Sequence, residues 1–296
     1  SLRIPRTATN SMAFFRVRAV CKIDISDPQL TQALRDALDN NTVSTKGLYD
    51  VDLLDVAELN ASALALSSIA GIENASHLAV LDLGYTNWNC RNQISDVSCL
   101  STLTNLTDLN LNGNIIRDVS PLANLARLET LELGWNQIHD ISPLSNLHHL
   151  RRLRLTHNLV TNIAPICELQ NLRSLDLSEN PIADISSLEN LHNIDELVVA
   201  NNNIMNLAFV TNMEHLNVLY VSWNPIESLE PLAAMHSLTK IYMYDVNISD
   251  LGPLLENASA GGLKNCSLNI HCMPLSQFAI TNQIPRLKNM GVTVIY

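Results

Sequence analysis

Aromatic residues are scarce in this sequence. Phe, Trp and Tyr make up 4% of its 296 residues although 47% are hydrophobic, so the interior has to be built from aliphatic side chains. Glycine occurs nine times and forms no phosphate-binding loop, which leaves the common nucleotide motifs unrepresented. No apolar run approaches the roughly 18 residues of a membrane-spanning helix, and no membrane insertion is expected. Positive charge is also short: 18 Lys and Arg against 29 Asp and Glu give a formal net charge of −11. That balance argues against nucleic acid as a partner. Between Arg173 and Lys240 there is no Lys or Arg, while nine acids from Asp176 to Glu230 fall in the same window. The run suits a solvated surface that keeps the chain soluble, or a patch for a basic partner.

Six cysteines are too few for a disulfide-dense scaffold, and their spacing fits no zinc module. Cys90 and Cys99 flank one irregular loop, and Cys266 and Cys272 lie close together near the C-terminal end. Bridges within those two pairs would suit an exported protein, whereas six free thiols would suit an intracellular one. Cys167 takes a convex-side slot inside a repeat and reads as a buried thiol. His271 and Cys272 with Cys266 lack a fourth ligand, so no metal and no cofactor is expected. Residues 1–20 hold four arginines and no acid, lack the apolar core of a secretory leader, and read as a mature or trimmed start.

What the chain does have is a 22-residue period. Copies begin at Leu106, Leu128, Leu150, Leu172, Ile194 and Leu216, each close to Leu-x-x-Leu-x-Leu-x-x-Asn-x-Ile-x-Asp-Ile-x-Pro-Leu-x-x-Leu-x-x. Alternating pairs such as Leu109/Leu111 and Leu131/Leu133 put two apolar side chains on one face of a short strand. Asn follows at 114, 136, 158, 180, 202 and 224, where the chain turns inward. Its amide is expected to bond the turn of its own rung and that of the next. Ile138, Asp140, Ile141, Pro143 and Leu144 then round the opposite side in a tight 3₁₀ turn. One rung cannot bury its own apolar face, so rungs must stack. The expected fold is an α/β solenoid, a right-handed leucine-rich-repeat horseshoe. It has a parallel concave sheet, a 3₁₀ or irregular convex side and a cap at each end.

Four segments follow. Residues 1–20 form an extension in which Phe15, Val17 and Ala19 alternate as in an edge strand. Residues 21–55 form a helical cap, begun by Asp27-Pro28 and carried by Leu30, Ala33, Leu34, Ala37 and Leu38, with a second helical piece at 44–52. Residues 56–262 hold about nine repeats, with Leu64 and Val246 in the Asn slot of the first and ninth. The second repeat carries six extra residues within 84–91, including Tyr85 and Trp88, aromatics that make this loop a secondary binding candidate. Residues 263–296 make a last rung and C-terminal cap: a helix marked by Phe278, Ile280, Ile284, Leu287 and Met290, then a strand within 291–296.

The turn Asp140-Ile141-Ser142-Pro143-Leu144 closely resembles the bacterial 22-residue class, the internalin-like leucine-rich repeats. Ser68-Ile69-Ala70-Gly71-Ile72-Glu73 is similar to the first rung common in that class. Met273-Pro274-Leu275, Ile284-Pro285-Arg286-Leu287 and Gly291-Val292-Thr293-Val294 are similar to its closing segment, with Met273 where many members have Asn. The resemblance covers about residues 56–296. It implies a secreted, periplasmic or surface-attached bacterial protein that binds another macromolecule. An anchored invasion form is not expected, since no sorting signal or immunoglobulin-like domain follows the repeats.

Stacked rungs turn the period into columns on the concave face. One reads Asn110, Glu132, Arg154, Asp176, Val198, Tyr220, Tyr242. Another reads Glu129, Arg151, Arg173, Asp195, and a third Trp135, His157, Glu179, Asn201, Trp223, Asp245. Alternating charge in the first two suits neutralisation of Arg151, Arg152, Arg154 and Arg173 by acids on adjacent rungs. Tyr220, Trp223, Tyr242 and Tyr244 concentrate on two adjacent rungs beside Lys240. They are the first choice for a partner site, because exposed Tyr and Trp dominate interface hot spots. Trp135, His157 and Arg154 are a second focus. His157 has no nucleophile near it, and no catalytic residue is assigned. The expectation is a non-catalytic, monomeric module of an exported bacterial protein, holding a protein or glycan on its concave face. The alternative is an intracellular adaptor of an enzyme such as a phosphatase.

Overall fold

The computed structural model describes residues 25, 27–38, 48, 52–85 and 91–296. Among them, eleven three-residue strands form one parallel sheet in chain order. They are β1 Glu58–Asn60, β2 Val80–Asp82, β3 Asp108–Asn110, β4 Thr130–Glu132, β5 Arg152–Arg154, β6 Ser174–Asp176, β7 Glu196–Val198, β8 Val218–Tyr220, β9 Lys240–Tyr242, β10 Ser267–Asn269 and β11 Thr293–Ile295. Equivalent slots pair directly: Leu109 faces Leu131, which faces Leu153. Each connection crosses the convex side in the right-handed sense. Val80 pairs with Asp108 where the period alone would set Thr102, so the six extra residues fall between β2 and β3 without breaking the register.

The core is one continuous stack of aliphatic side chains from Leu30 to Val294. Each wholly buried Leu or Ile contributes about 1.5–3 kcal/mol, and the repeat supplies several per rung. On the convex side the predicted 3₁₀ turns are present, for example Ser120–Leu122, Ser142–Asn146 and Glu230–Ala234. Asp118 and Asp140 accept from the backbone N–H two residues on, at 2.8 Å each, which starts the turn before the proline arrives. Hydrogen bonds from the following serine hold the Asp96, Asp140 and Asp184 carboxyls below their usual value.

The buried asparagines form a ladder, but it runs opposite to expectation. Asn158 Oδ1 accepts from Ile138 N–H at 2.9 Å, and its Nδ2 donates to Leu133 O and Leu155 O at 3.0 Å each. Each amide therefore ties its own rung to the preceding one. The inward turn of rung n lies beside a carbonyl at the end of the strand of rung n−1, which accepts from that rung's own Asn amide and from the next, as Leu133 O does from Asn136 and Asn158. Val246 ends the ladder, and Ile226 N–H, deprived of an acceptor there, turns to Asn224 O at 2.8 Å.

Helix α1, Pro28–Ala37, starts where Asp27 accepts from Gln29 and Leu30 N–H, and it buries Leu30 and Leu34 against the first rung. At the other end α2, Gly252–Ser259, replaces the 3₁₀ turn of the ninth rung. The closing helix departs from its expected face. A π turn, Ala279–Gln283, precedes α3, Ile284–Asn289. Its extra residue per turn rotates the apolar stripe. Ala279, Ile284 and Leu287 point inward, while Phe278, Ile280 and Met290 are 59%, 40% and 36% exposed. Buried Gln283 holds the cap on, accepting from Leu251 N–H at 2.9 Å and donating to Asp250. The expected strand at 15–21, most of the helical piece at 44–52, and loop residues Trp88 and Cys90 lie outside the described residues.

Candidate binding face

Alternation sends the middle residue of each strand inward and its neighbours onto the concave face. The first column is in direct register, Arg154 opposite Asp176, Val198 opposite Tyr220, Tyr220 opposite Tyr242. The Trp135 column lies just past the strand ends and shares a feature the residue types conceal. Trp135, His157, Glu179, Asn201, Trp223 and Asp245 all have φ between +52° and +57°. That left-handed step swings the following residue inward, at a cost of about 1–2 kcal/mol for a non-glycine residue. Gly113, at φ +72°, holds the same slot and was its one sequence signal. Tyr85 packs over this glycine: a Cβ there would lie 2.2 Å from Tyr85 Cδ1.

The predicted aromatic residues come together. Tyr220 and Tyr242 stack with centroids 4.0 Å apart, Tyr242 meets Tyr244 at 6.1 Å, and Trp223 meets Tyr244 at 5.8 Å and 39°. Asn269 Nδ2 donates to the Tyr244 hydroxyl at 2.7 Å, which orients that ring. Burial, then the hydrogen bond and charge of Tyr242 and the charges of Glu196 and Tyr244, push the Tyr220 hydroxyl up to about 12. Lys240 is exposed at the start of β9. Aromatic pairs contribute about 0.5–1.5 kcal/mol beyond burial, so the platform is formed before any partner arrives.

In the second focus Trp135 stacks on His157 at 3.8 Å, and His157 Nδ1 lies 3.0 Å from Glu179 Oε2. Arg154 bridges Glu132 at 3.2 Å and Asp176 at 3.4 Å. Burial raises the Asp176 carboxyl pKa despite hydrogen bonds from Ser178 and the nearby Arg154. The expected charge ladder is only partly made. Arg151 reaches Glu129 at 3.4 Å, but Arg173 donates to the Asn193 carbonyl at 3.0 Å instead of to a carboxylate. Arg152, exposed between Thr130 and Ser174, makes no ion pair among the described residues because neither neighbour is acidic.

The leucine-rich-repeat family model, which spans two repeat copies, matches residues 89–124, 126–168 and 170–212. No curated protein matches the chain in sequence. An internalin C2 from Listeria monocytogenes is 31% identical, with a TM-score of 0.67 over 73% of this chain and 93% of that one. The chain belongs to the internalin-like family. A second Listeria monocytogenes internalin is 26% identical, with a TM-score of 0.64 over 91% of this chain and 95% of its own. The leucine-rich-repeat ectodomain of an Arabidopsis thaliana membrane receptor kinase shares the fold, at 22% identity and a TM-score of 0.63 over 86% of this chain and 32% of that one.

In this internalin-like protein Cys99, Cys167, Cys266 and Cys272 are all free thiols. Cys266 and Cys272, a pairing the sequence left open, are separate in the fold: Cys266 is fully buried in the core while Cys272 is exposed at a left-handed turn. Cys99 is half-buried, with its Sγ 3.5 Å from Ile69 O; its possible partner Cys90 lies outside the described residues. Burial pushes the Cys99 and Cys266 thiols up to about 12, with Glu73 and Asp96 adding to the effect at Cys99. Among the described residues no three His, Cys, Asp or Glu side chains gather as a metal site would require. His149 on the convex side is engaged structurally, with Nδ1 2.8 Å from the Ala126 carbonyl.

Proposed function

We propose that this chain is a non-catalytic binding module that holds a protein on its concave face, centred on Tyr220, Trp223, Tyr242 and Tyr244. The observation that carries this reading is the aromatic platform on β8 and β9, in a chain with 4% aromatic residues. The faces that Tyr220 and Tyr242 turn to each other are taken, which favours a protein over a glycan. Trp135, His157 and Arg154 form the second contact area, and Tyr85 a rim contact. Family membership supports an exported bacterial protein, and the module is read as a monomer.

A combined Tyr220→Ala, Trp223→Ala and Tyr242→Ala variant tests the site by pull-down beside the wild type, with circular dichroism as the folding control. Loss of capture with an intact fold is expected; unchanged capture overturns the assignment. A second reading, an intracellular adaptor of an enzyme, is favoured by the four unbridged thiols. Identification of the captured protein as secreted or cytosolic separates the two.

A further inference from the structure

Trp223 is 53% exposed, and Tyr244 tilts toward it at 39°, so the two rings make two walls of an open corner. Asp245 follows Tyr244 in the chain and takes the slot next to Trp223 in the left-handed column. It is exposed, and its carboxylate makes no ion pair or hydrogen bond among the described residues. The nearest Lys or Arg in sequence is Lys240, at the start of β9, and the neighbouring rung brings His271, whose carbonyl accepts from Asp245 N–H at 3.2 Å. No other Lys or Arg occurs from 174 to 239, while Asp195 and Glu196 sit on the β7 rung. An open indole face, a second ring and an unpaired carboxylate are the components that recognise organic cations.

We propose that this corner receives a guanidinium or ammonium group: the protein partner presents an Arg or Lys side chain that lies against Trp223 and Tyr244 and pairs with Asp245. This deepens the preceding reading and rests on it. The cation supplies what the ring quadrupoles and the carboxylate attract, and the acidic surroundings draw it in from a distance.

The test uses the full chain and a fluorescein-labelled Gly-Arg-Gly-Arg-Gly peptide, read by anisotropy at low salt. The same peptide with citrulline keeps the shape and removes the charge. The arginine peptide is expected to bind at least about fivefold more tightly than the citrulline peptide. Trp223→Ala, which leaves net charge unchanged, is expected to weaken it about tenfold, and Asp245→Asn about threefold. Equal binding of the two peptides, or undiminished binding by Trp223→Ala, overturns the proposal. If the arginine peptide fails while the triple-alanine variant still loses its partner, the docking face stands and the cationic occupant falls. If the peptide binds through Trp223 while the triple variant keeps its partner, the corner stands and the partner face falls.

Discussion

The rings of Tyr220 and Tyr242 lie face to face, with centroids 4.0 Å apart and planes within 3°. Each restrains the other, so little side-chain entropy remains to be lost on binding. Tyr220 is held neutral: its folded value near 12 exceeds the unfolded value of about 10. A group raised in this way contributes its full stability below about pH 10 and loses it as pH rises toward 12. Absorbance titration should show one tyrosine ionising near pH 12. Tyr242→Phe removes the hydrogen bond and the Tyr242 charge, so that ionisation should move down while remaining above 10, because burial is the larger cause. A titration indifferent to Tyr242→Phe would contradict the coupling.

Asn158→Ala should cost about 3 kcal/mol in urea unfolding. It leaves Ile138 N–H without its acceptor inside the stack, and it leaves Leu133 O and Leu155 O with only the Asn136 and Asn180 amides. A loss below about 1 kcal/mol would mean that water or a neighbouring carbonyl takes over, as Asn224 O does for Ile226 beside Val246.

Asp176 should respond to pH in the sense opposite to a typical paired carboxylate. Its raised folded value means that its stabilising contribution is present below the unfolded value of about 3.9 and is lost as pH climbs through the folded one. The ionised form is therefore a net cost at pH 7. Asp176→Asn is expected to keep or raise Tm by about 1–3 °C at pH 7, with the gain gone at pH 3. A clear loss at pH 7 would show that Arg154 outweighs burial.

Arg152 and Arg154 sit two residues apart on β5 with different roles. Arg154→Ala strands Glu132 and Asp176 and should destabilise by about 1 kcal/mol, a modest figure because the guanidinium is 41% exposed. Arg152→Ala breaks no ion pair and should change stability by less than about 0.5 kcal/mol. If the partner spans the concave face, it should nevertheless weaken partner binding. Equal thermal shifts in the two variants would refute the difference.

Thiol labelling at pH 8 followed by peptide mapping should find Cys272 modified first among Cys99, Cys167, Cys266 and Cys272. Thiols near 12 are about one part in ten thousand thiolate at that pH, and Cys266 is also fully buried. Early labelling of Cys266 would mean that the C-terminal cap opens.

Strand position and the inward identity of the Leu and Ile in the repeat's apolar slots were legible from residue types alone. A period that does not slip from Leu106 to Ser237 leaves one way to bury the apolar face, and parallel stacking then sets the columns. The coming together of Tyr220, Trp223, Tyr242 and Tyr244 was legible for the same reason, as was the start of α1 at Asp27-Pro28. The tertiary structure decided matters that depend on the contact between rungs. It set which neighbour each Asn amide reaches, the shared left-handed step at Trp135 to Asp245, and the pairing of Arg154 but not Arg152. It also decided that a π turn carries Phe278, Ile280 and Met290 outward, and that Cys266 and Cys272 face different surroundings. Periodicity encodes which way a side chain faces, because facing follows from backbone repeat alone. Hydrogen bonds, charge pairs and turn handedness follow from distances of a few ångströms between rungs, and those exist only once the stack has formed.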